Sequence, residues 1–432
     1  MRRLLKLIPT RASTGKVAAV ALGTGAGQGM VVLASPFVTR LYSATEFGTL
    51  AAFASLLGIA LAAASLRYER AILLPKADAD ARALTGVSLY VAVCTGLATA
   101  LVLWLASDTI AATLDSEELG RFLWTVPAAL AAAAVTQVSV QWALRKEAYT
   151  VIGGARFAEG GAKALAQLGF GVAAFGTLGL LLAEVGASAL GAAFLWIRLR
   201  LGSVVPGPMA PSVRAMMNRY WKFPVYTAPG SILNAAGLQL PTLLLATAYG
   251  LQVAGLYALG QRVVSAPLGL VGQAIGQVYV GRAADAVRNS PERVLGLYLR
   301  STARLCLFAI PPAVGLGLFG PDLFAYVFGP QWRDSGVYVQ IFAVAMVAQF
   351  TVVPVSQTLV LLERQELQLA WDVGRLVLVS LAVVGTAMRG LSPTTAIGFL
   401  AASMLLAYVV LWTITLVAIR RLADPASRDH DT

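Results

Sequence analysis

Apolar runs of about 20 residues recur from Val17 to Ile419, each closed by charged residues or by Gly and Pro. At 1.5 Å rise per residue such a run crosses a bilayer core of about 30 Å, so each predicts a membrane-spanning helix. The pattern places helices at roughly 17–39, 47–66, 83–106, 122–144, 157–176, 178–197, 226–248, 254–278, 301–319, 337–362, 371–388 and 394–419. Short alternating strands, the mark of an outer-membrane barrel, are absent. The predicted fold class is an all-α polytopic membrane protein of about twelve transmembrane helices.

Composition agrees. Of the 432 residues, 58% are hydrophobic and 12% charged, with a mean hydropathy of +0.74; a soluble domain carries about 25% charged residues. The net charge of +12 invites a nucleic-acid reading, but its placement argues otherwise. With the N-terminus in the cytoplasm, 27 of the 33 Lys and Arg fall at cytoplasmic helix ends and only Arg40, Arg121, Arg333 and Arg389 at the others. Lys163 and Arg262 fall inside helices. By the positive-inside rule both termini are expected in the cytoplasm of a multi-pass membrane protein, and no nucleic-acid partner is implied. The basic start "MRRLLKLIPTRASTGK" lacks a cleavage site and reads as a retained tail. The two cysteines, Cys94 and Cys306, lie inside apolar runs, and the one histidine, His430, is in a polar tail. Neither a disulfide framework, nor a metal site, nor a cofactor is expected.

Two internal echoes suggest a duplication. "LYSATEFGTLAAF" (41–53) aligns with "AYGLQVAGLYALG" (248–260) at an offset of 207, and "RKEAYTVIGGAR" (145–156) with "RQELQLAWDVGR" (364–375) at 219. Six helices is an even number, so the two repeats are expected to be parallel, with a central cavity between them. The expected domains are an N-terminal six-helix bundle (1–201), a Pro-containing cytoplasmic linker (202–222) and a C-terminal six-helix bundle (223–432).

Six stretches in register carry a family resemblance: "RLYSATEFGTL", "LRYERAILLP", "RYWKFPVY", "AGLYALGQRVVSAPLGLVGQAIGQVY", "LFGPDLFAYVFGPQWRDSGVY" and "LERQELQLAWD". Together they resemble the bacterial polysaccharide-biosynthesis membrane proteins, the Wzx-type O-antigen and exopolysaccharide flippases. Those belong to the multidrug/oligosaccharidyl-lipid/polysaccharide exporter superfamily. The resemblance implies two six-helix bundles flanking a central cavity. It implies as substrate an undecaprenyl-diphosphate-linked oligosaccharide, turned from the cytoplasmic to the periplasmic leaflet. Its implied surroundings are the lipid bilayer and, as candidate companions, a polymerase and other glycan-assembly membrane proteins.

Moving such a lipid needs cations for the diphosphate and amides or hydroxyls for the sugar, because neither group crosses hydrocarbon alone. On the eighth predicted helix Arg262, Ser265, Gly269, Gln273, Gly276 and Gln277 fall on one stripe. A charge at the depth of Arg262 costs about 2.5–3.5 kcal/mol on insertion scales, so it should face a wet cavity or a partner. The plainer reading is a bond to a neighbouring helix, with glycines for packing. The fifth helix carries Arg156, Glu159, Lys163 and Gln167 on one face. Lys163 is a substrate candidate and Glu184, on the sixth, a coupling-ion candidate or its partner. Counted from a turn near 176–177 the two differ in depth by roughly 9 Å. Asn234 and Gln239 stand near Pro229 and Pro241, and Gln28 stands among Gly23, Gly25, Gly27 and Gly29. These three are further cavity candidates, though the glycines suit packing equally. In "LRYERAILLP" Arg67 and Arg70 would share a face at the end of the second helix. There Arg67 either captures diphosphate or marks the membrane boundary, with Glu69 pinning it.

No nucleotide-binding loop is present, so a transporter driven by an ion gradient or the membrane potential is the leading reading. The alternatives are a multidrug or peptidoglycan-precursor exporter, or a membrane glycan polymerase or ligase using a carboxylate pair such as Asp322 and Asp334. Far-side loops of about 15 residues leave little room for an enzyme's catalytic loop.

Overall fold

The computed structural model describes residues 11–114, 117–203, 205 and 211–423, with side chains for all of these except 11–18, 117–119, 211, 265–267, 270, 273–274 and 422–423. The expected tails at 1–10 and 424–432, and the Pro-containing 206–210 of the expected linker, lie outside the described residues. Twelve long helices form: α1 (Arg11–Leu41), α2 (Ala44–Ala63), α3 (Asp78–Leu105), α4 (Thr125–Arg145), α5 (Tyr149–Val172), α6 (Gly176–Arg198), α7 (Ala228–Tyr249), α8 (Leu251–Asn289), α9 (Glu292–Phe328), α10 (Arg333–Ser356), α11 (Gln365–Met388) and α12 (Pro393–Ala423). Each corresponds to one predicted run. The protein is an all-α polytopic membrane protein, and the described residues hold no strand. That is the expected solution where no water can satisfy an open backbone.

Two helices outgrow their predicted spans. α8 is 39 residues long and α9 is 37, because "RAADAVRN" and "ERVLGLYLR" continue the helical pattern up to the Ser290–Pro291 turn from either side, and α9 also runs on through "GPDLFAYVF" to Phe328. Among the described residues ten helices are long and apolar enough by composition to cross a membrane. α5, whose side chains are all described, falls short, and it carries one of the polar stripes picked out in the sequence. Outer faces carry large apolar groups: Trp104, Leu307 and Met388 are 72%, 71% and 83% exposed, which lipid rather than water would solvate.

The chain divides into two compact units, 1–235 and 236–432. In the first, α2 packs on α4, α3 on α4, α4 on α6 and α5 on α6; the second repeats these pairings as α8 on α10, α9 on α10, α10 on α12 and α11 on α12. The same order of helix pairings thus recurs in the two units. The first unit also carries a short helix, Pro211–Arg219, that packs on α3 and buries Val213 and Met216 with Tyr68, Ile72 and Leu84.

Turn chemistry sets the repeat register. Ser43 caps α2 in a box with Glu46, whose backbone N–H donates to Ser43 Oγ at 3.2 Å while its carboxylate accepts from Ser43 N at 2.7 Å. Its counterpart at the start of α8 is Gly250, so the first echo keeps its offset of 207. The second echo needs correction. Leading into α5, Lys146, Glu147 and Ala148 donate to the carbonyls of Trp142, Leu144 and Ala143. Leading into α11, Leu362, Glu363 and Arg364 donate to those of Thr358, Val360 and Leu359, an offset of 216 rather than 219. Glu147 and Glu363 hold the same left-handed position, with φ of 53° and 59°, and both helices run 24 residues.

The glycines of α1 serve a helix crossing. A Cβ on Gly23 would run into the Gly153 backbone, one on Gly27 into the carbonyl of Arg156, and one on Gly160 into Gly27. α1 and α5 therefore touch backbone to backbone, as small residues permit inside a membrane. Gly29, by contrast, faces open space. Gly27→Val is expected to destroy this crossing, since overpacking costs about 1–3 kcal/mol or more, while Gly29→Ala is tolerated. The yield of monodisperse protein by fluorescence-detected size exclusion checks both.

Candidate functional site

The stretch that follows α2 is not a helix end. α2 stops at Ala63, and Leu66 and Arg67 both adopt left-handed conformations, with φ of 47° and 65°, before a four-residue turn of helix at Tyr68–Ala71. This break separates Arg67 from Arg70, so the two do not share one continuous face as expected; Arg70 is exposed. Arg67 lies against Glu69, Nη1 to Oε1 at 3.4 Å. Glu69 is buried and accepts from Ser65 Oγ at 2.5 Å and Gln137 Nε2 at 2.8 Å, so it pins Arg67. Burial pushes the Arg67 guanidinium down from its ordinary value, and Glu69 opposes that shift. Ala71 and Ile72 are buried, while Leu73 and Leu74 are exposed. The segment is clamped from α4: Arg145 donates to the carbonyls of Ile72 (3.1 Å) and Pro75 (2.8 Å) and to Asp78 Oδ1 (3.0 Å).

The charged face of α5 forms a ladder. Arg156 Nη1 meets Glu159 Oε2 at 3.0 Å, and Lys163 forms an ion pair with Glu184 of α6. The expected mismatch in depth disappears because α5 ends at Val172, not near 176, with Ala174 left-handed (φ 55°) in the turn. Lys163 and Glu184 then stand nine and eight residues from the facing ends of their helices. The pair is partly buried, at 21% and 17% side-chain exposure. One turn on, Gln167 is buried and its carbonyl accepts from the Tyr42 hydroxyl at 3.0 Å. Burial and the nearby Glu46 push that hydroxyl up to about 12.

In the second unit a cleft of about 560 Å³ opens between α8 and α10. Among the described side chains its polar groups are the amides of Gln277, Gln349 and Gln357, and Met346, Phe350 and Pro354 supply apolar wall. All three glycines of α8 in the lining, Gly269, Gly272 and Gly276, have room beside them: a Cβ on Gly272 or Gly276 would meet Pro354 only in ordinary van der Waals contact, and one on Gly269 would have nothing within 4 Å. Arg262 is half-buried on α8 but does not line this cleft. The side chains of Ser265 and Gln273 lie outside the described ones. Gln239 is half-buried on α7, which continues through Pro241; Asn234 and Gln28 are exposed.

Sequence reasoning missed three groups. Gln349 and Gln357 bound the stretch "QFTVVPVSQ" at the end of α10, and their i, i+8 spacing, about 80° apart on a helix, was the signal available. Arg375 was counted among helix-end charges, yet it stands ten residues inside α11, about 15 Å at helical rise, and is 4% exposed. It pairs with Asp372 at 3.3 Å, lies over the Trp371 ring at 4.7 Å and fits against Gly237 of α7, where a Cβ would come within 2.7 Å of Nη2. At the offset of 216, Asp372 and Arg375 occupy the places of Arg156 and Glu159. The two repeats carry the same ion pair with its charges exchanged. Asp322, offered as half of a catalytic pair, instead accepts from Arg333 at 2.6 Å on the surface.

Residues 37–337 match the profile of a family described as polysaccharide biosynthesis protein. The teichuronic acid biosynthesis protein TuaB of Bacillus subtilis (strain 168) is 24% identical over 203 residues, 45% of this chain and 42% of its own length. The amylovoran biosynthesis protein AmsL of Erwinia amylovora is 25% identical over 115 residues, 27% of this chain and 29% of its own. The chain thus matches less than half the length of these curated relatives. Among solved structures, the lipid II flippase MurJ in an inward closed conformation superposes with a TM-score of 0.71 at 10% identity, covering 95% of this chain and 90% of that one. An inward-facing multidrug resistance transporter of the MATE family, in the MOP superfamily, gives 0.64 at 15% identity, covering 94% and 96%. At such identities the likeness is one of fold.

Removing either partner from Lys163–Glu184 takes a short ion pair away from a partly buried charge. Lys163→Met and Glu184→Gln are each expected to lower the melting temperature, and the double variant to recover much of the loss. A thermal-unfolding cycle should give a coupling of about 0.5–3 kcal/mol.

Proposed function

The chain belongs to the polysaccharide biosynthesis protein family, and from that premise we propose that it is a flippase rather than an enzyme. Its substrate in this reading is an undecaprenyl-diphosphate-linked oligosaccharide, an O-antigen or exopolysaccharide repeat unit. The protein moves it from the cytoplasmic to the periplasmic leaflet of the bacterial inner membrane by alternating access, with both termini in the cytoplasm. The observation that carries the reading is the α8–α10 cleft, which offers three amides against apolar walls within a membrane unit. Amides donate and accept at once and so suit sugar hydroxyls, while apolar walls suit the faces of sugar rings. The names of two curated relatives, a teichuronic acid biosynthesis protein and an amylovoran biosynthesis protein, support the same substrate class.

The division of labour follows from the chemistry. Arg262, Lys163 and Arg67 are the cations available to a diphosphate, and a guanidinium can bind two of its oxygens together. Gln277, Gln349 and Gln357, with Gln273, Gln239, Asn234 and Gln28, are the amides available to sugar. Glu184 is the carboxylate available to a coupling ion, in competition with Lys163.

Deleting the gene should trap lipid-linked oligosaccharide on the cytoplasmic leaflet and remove the surface glycan. Unchanged glycan with no trapped intermediate would sink the assignment. With protein at its normal level, Gln277→Ala/Gln349→Ala should lower glycan export about tenfold, as expected for losing two hydrogen bonds. Arg262→Ala should abolish export and Arg262→Lys should retain part of it; full export by Arg262→Ala would return this arginine to a structural role.

A further inference from the structure

The extensions of α8 and α9 beyond their apolar spans enclose a second cleft, of about 1150 Å³, near the Ser290–Pro291 turn. Arg282 of α8 and Arg293, Arg300 and Arg304 of α9 line it, and Glu292 is the one carboxylate in the lining. Glu292 lies 4.0 Å from Arg293, and both are exposed. No described carboxylate pairs with Arg282, Arg300 or Arg304. At positions i, i+7 and i+11, the three arginines of α9 lie within about 40° on one face and extend over about 16 Å.

The same cleft has apolar walls. Val278 is 56% exposed and Phe308 53%, and exposed apolar residues resume on α9 at Leu307, directly beyond Arg304. The cleft therefore places several unpaired guanidiniums where charge gives way to a hydrocarbon-facing surface. That combination suits an amphiphile with an anionic head and an apolar tail, and no soluble anion needs the second part.

We infer that this cleft holds an anionic phospholipid of the bilayer, one with two phosphodiesters, as a resident lipid rather than as cargo. Arg300 and Arg304 take one phosphate and Arg282 and Arg293 reach the other, while an acyl chain lies along Val278 and Phe308. Two separated phosphates match the length of the arginine row better than the adjacent phosphates of a polyprenyl diphosphate. The inference concerns a bilayer lipid and does not rest on the flippase reading.

The test uses the purified full-length protein in neutral detergent, titrated separately with cardiolipin, phosphatidylcholine and undecaprenyl diphosphate. Cardiolipin should bind and phosphatidylcholine should not. Arg300→Gln/Arg304→Gln should weaken cardiolipin about tenfold or more and leave undecaprenyl diphosphate unchanged. Arg300→Lys/Arg304→Lys, which keeps the charge, should retain most of the cardiolipin affinity. Should the Gln pair fail to fold, Arg282→Gln alone should weaken cardiolipin measurably. Equal cardiolipin binding by wild type and Gln variants overturns the inference. A parallel loss of undecaprenyl diphosphate binding also overturns it, since the cleft would then belong to the transported lipid.

Discussion

An ion set alone in hydrocarbon is costly enough that it must be matched, and this requirement organises the polar interior of the protein. Lys163 is matched by Glu184, Arg156 by Glu159, Arg375 by Asp372 and, at the end of α2, Arg67 by Glu69. Each match also fixes geometry. Lys163 and Glu184 hold α5 level with α6, and the buried Arg375 lies against α7 at Gly237, where a Cβ would come within 2.7 Å of Nη2. α5 is too polar to count as a span on composition, yet it is packed between α1 and α6, where its charges find partners and its glycines find a backbone.

The repeats show how such matching constrains divergence. Once Glu147 and Glu363 are superposed, α5 and α11 have the same length, the same entry and exit turns, and an ion pair at the same two positions. Only the order of the charges differs. An i,i+3 pair satisfies both partners whichever comes first, so the order can invert while the pairing is kept. The lone lysine of α5 needed an acid from the next helix, whereas α11 finds its extra support in Trp371 beneath Arg375.

Close approach is the second constraint, and it separates glycines that look alike in sequence. Gly23 and Gly27 touch the α5 backbone, while Gly29 two residues on faces open space. On α8, by contrast, Gly269, Gly272 and Gly276 all leave room in the amide-lined cleft. One residue type thus makes contact in one place and a cavity in another, and the facing helix makes the difference.

Local pattern determined much of this protein. Twelve apolar runs required twelve helices because backbone polar groups have no other partners in lipid. Which residues meet was a different matter. Matching like residue with like set the second echo at 219, because an exchanged ion pair is invisible to identity, and only the hydrogen bonds of the two turns restored 216. Arg375 looked like an end charge until α11 was seen to begin ten residues before it, and Lys163 looked out of reach of Glu184 until the turn moved to 173–175. The periodicity of one chain segment decides what it becomes. The partner of a charge, a glycine or an amide is decided by another helix arriving from far along the chain, and only the tertiary structure contains that meeting.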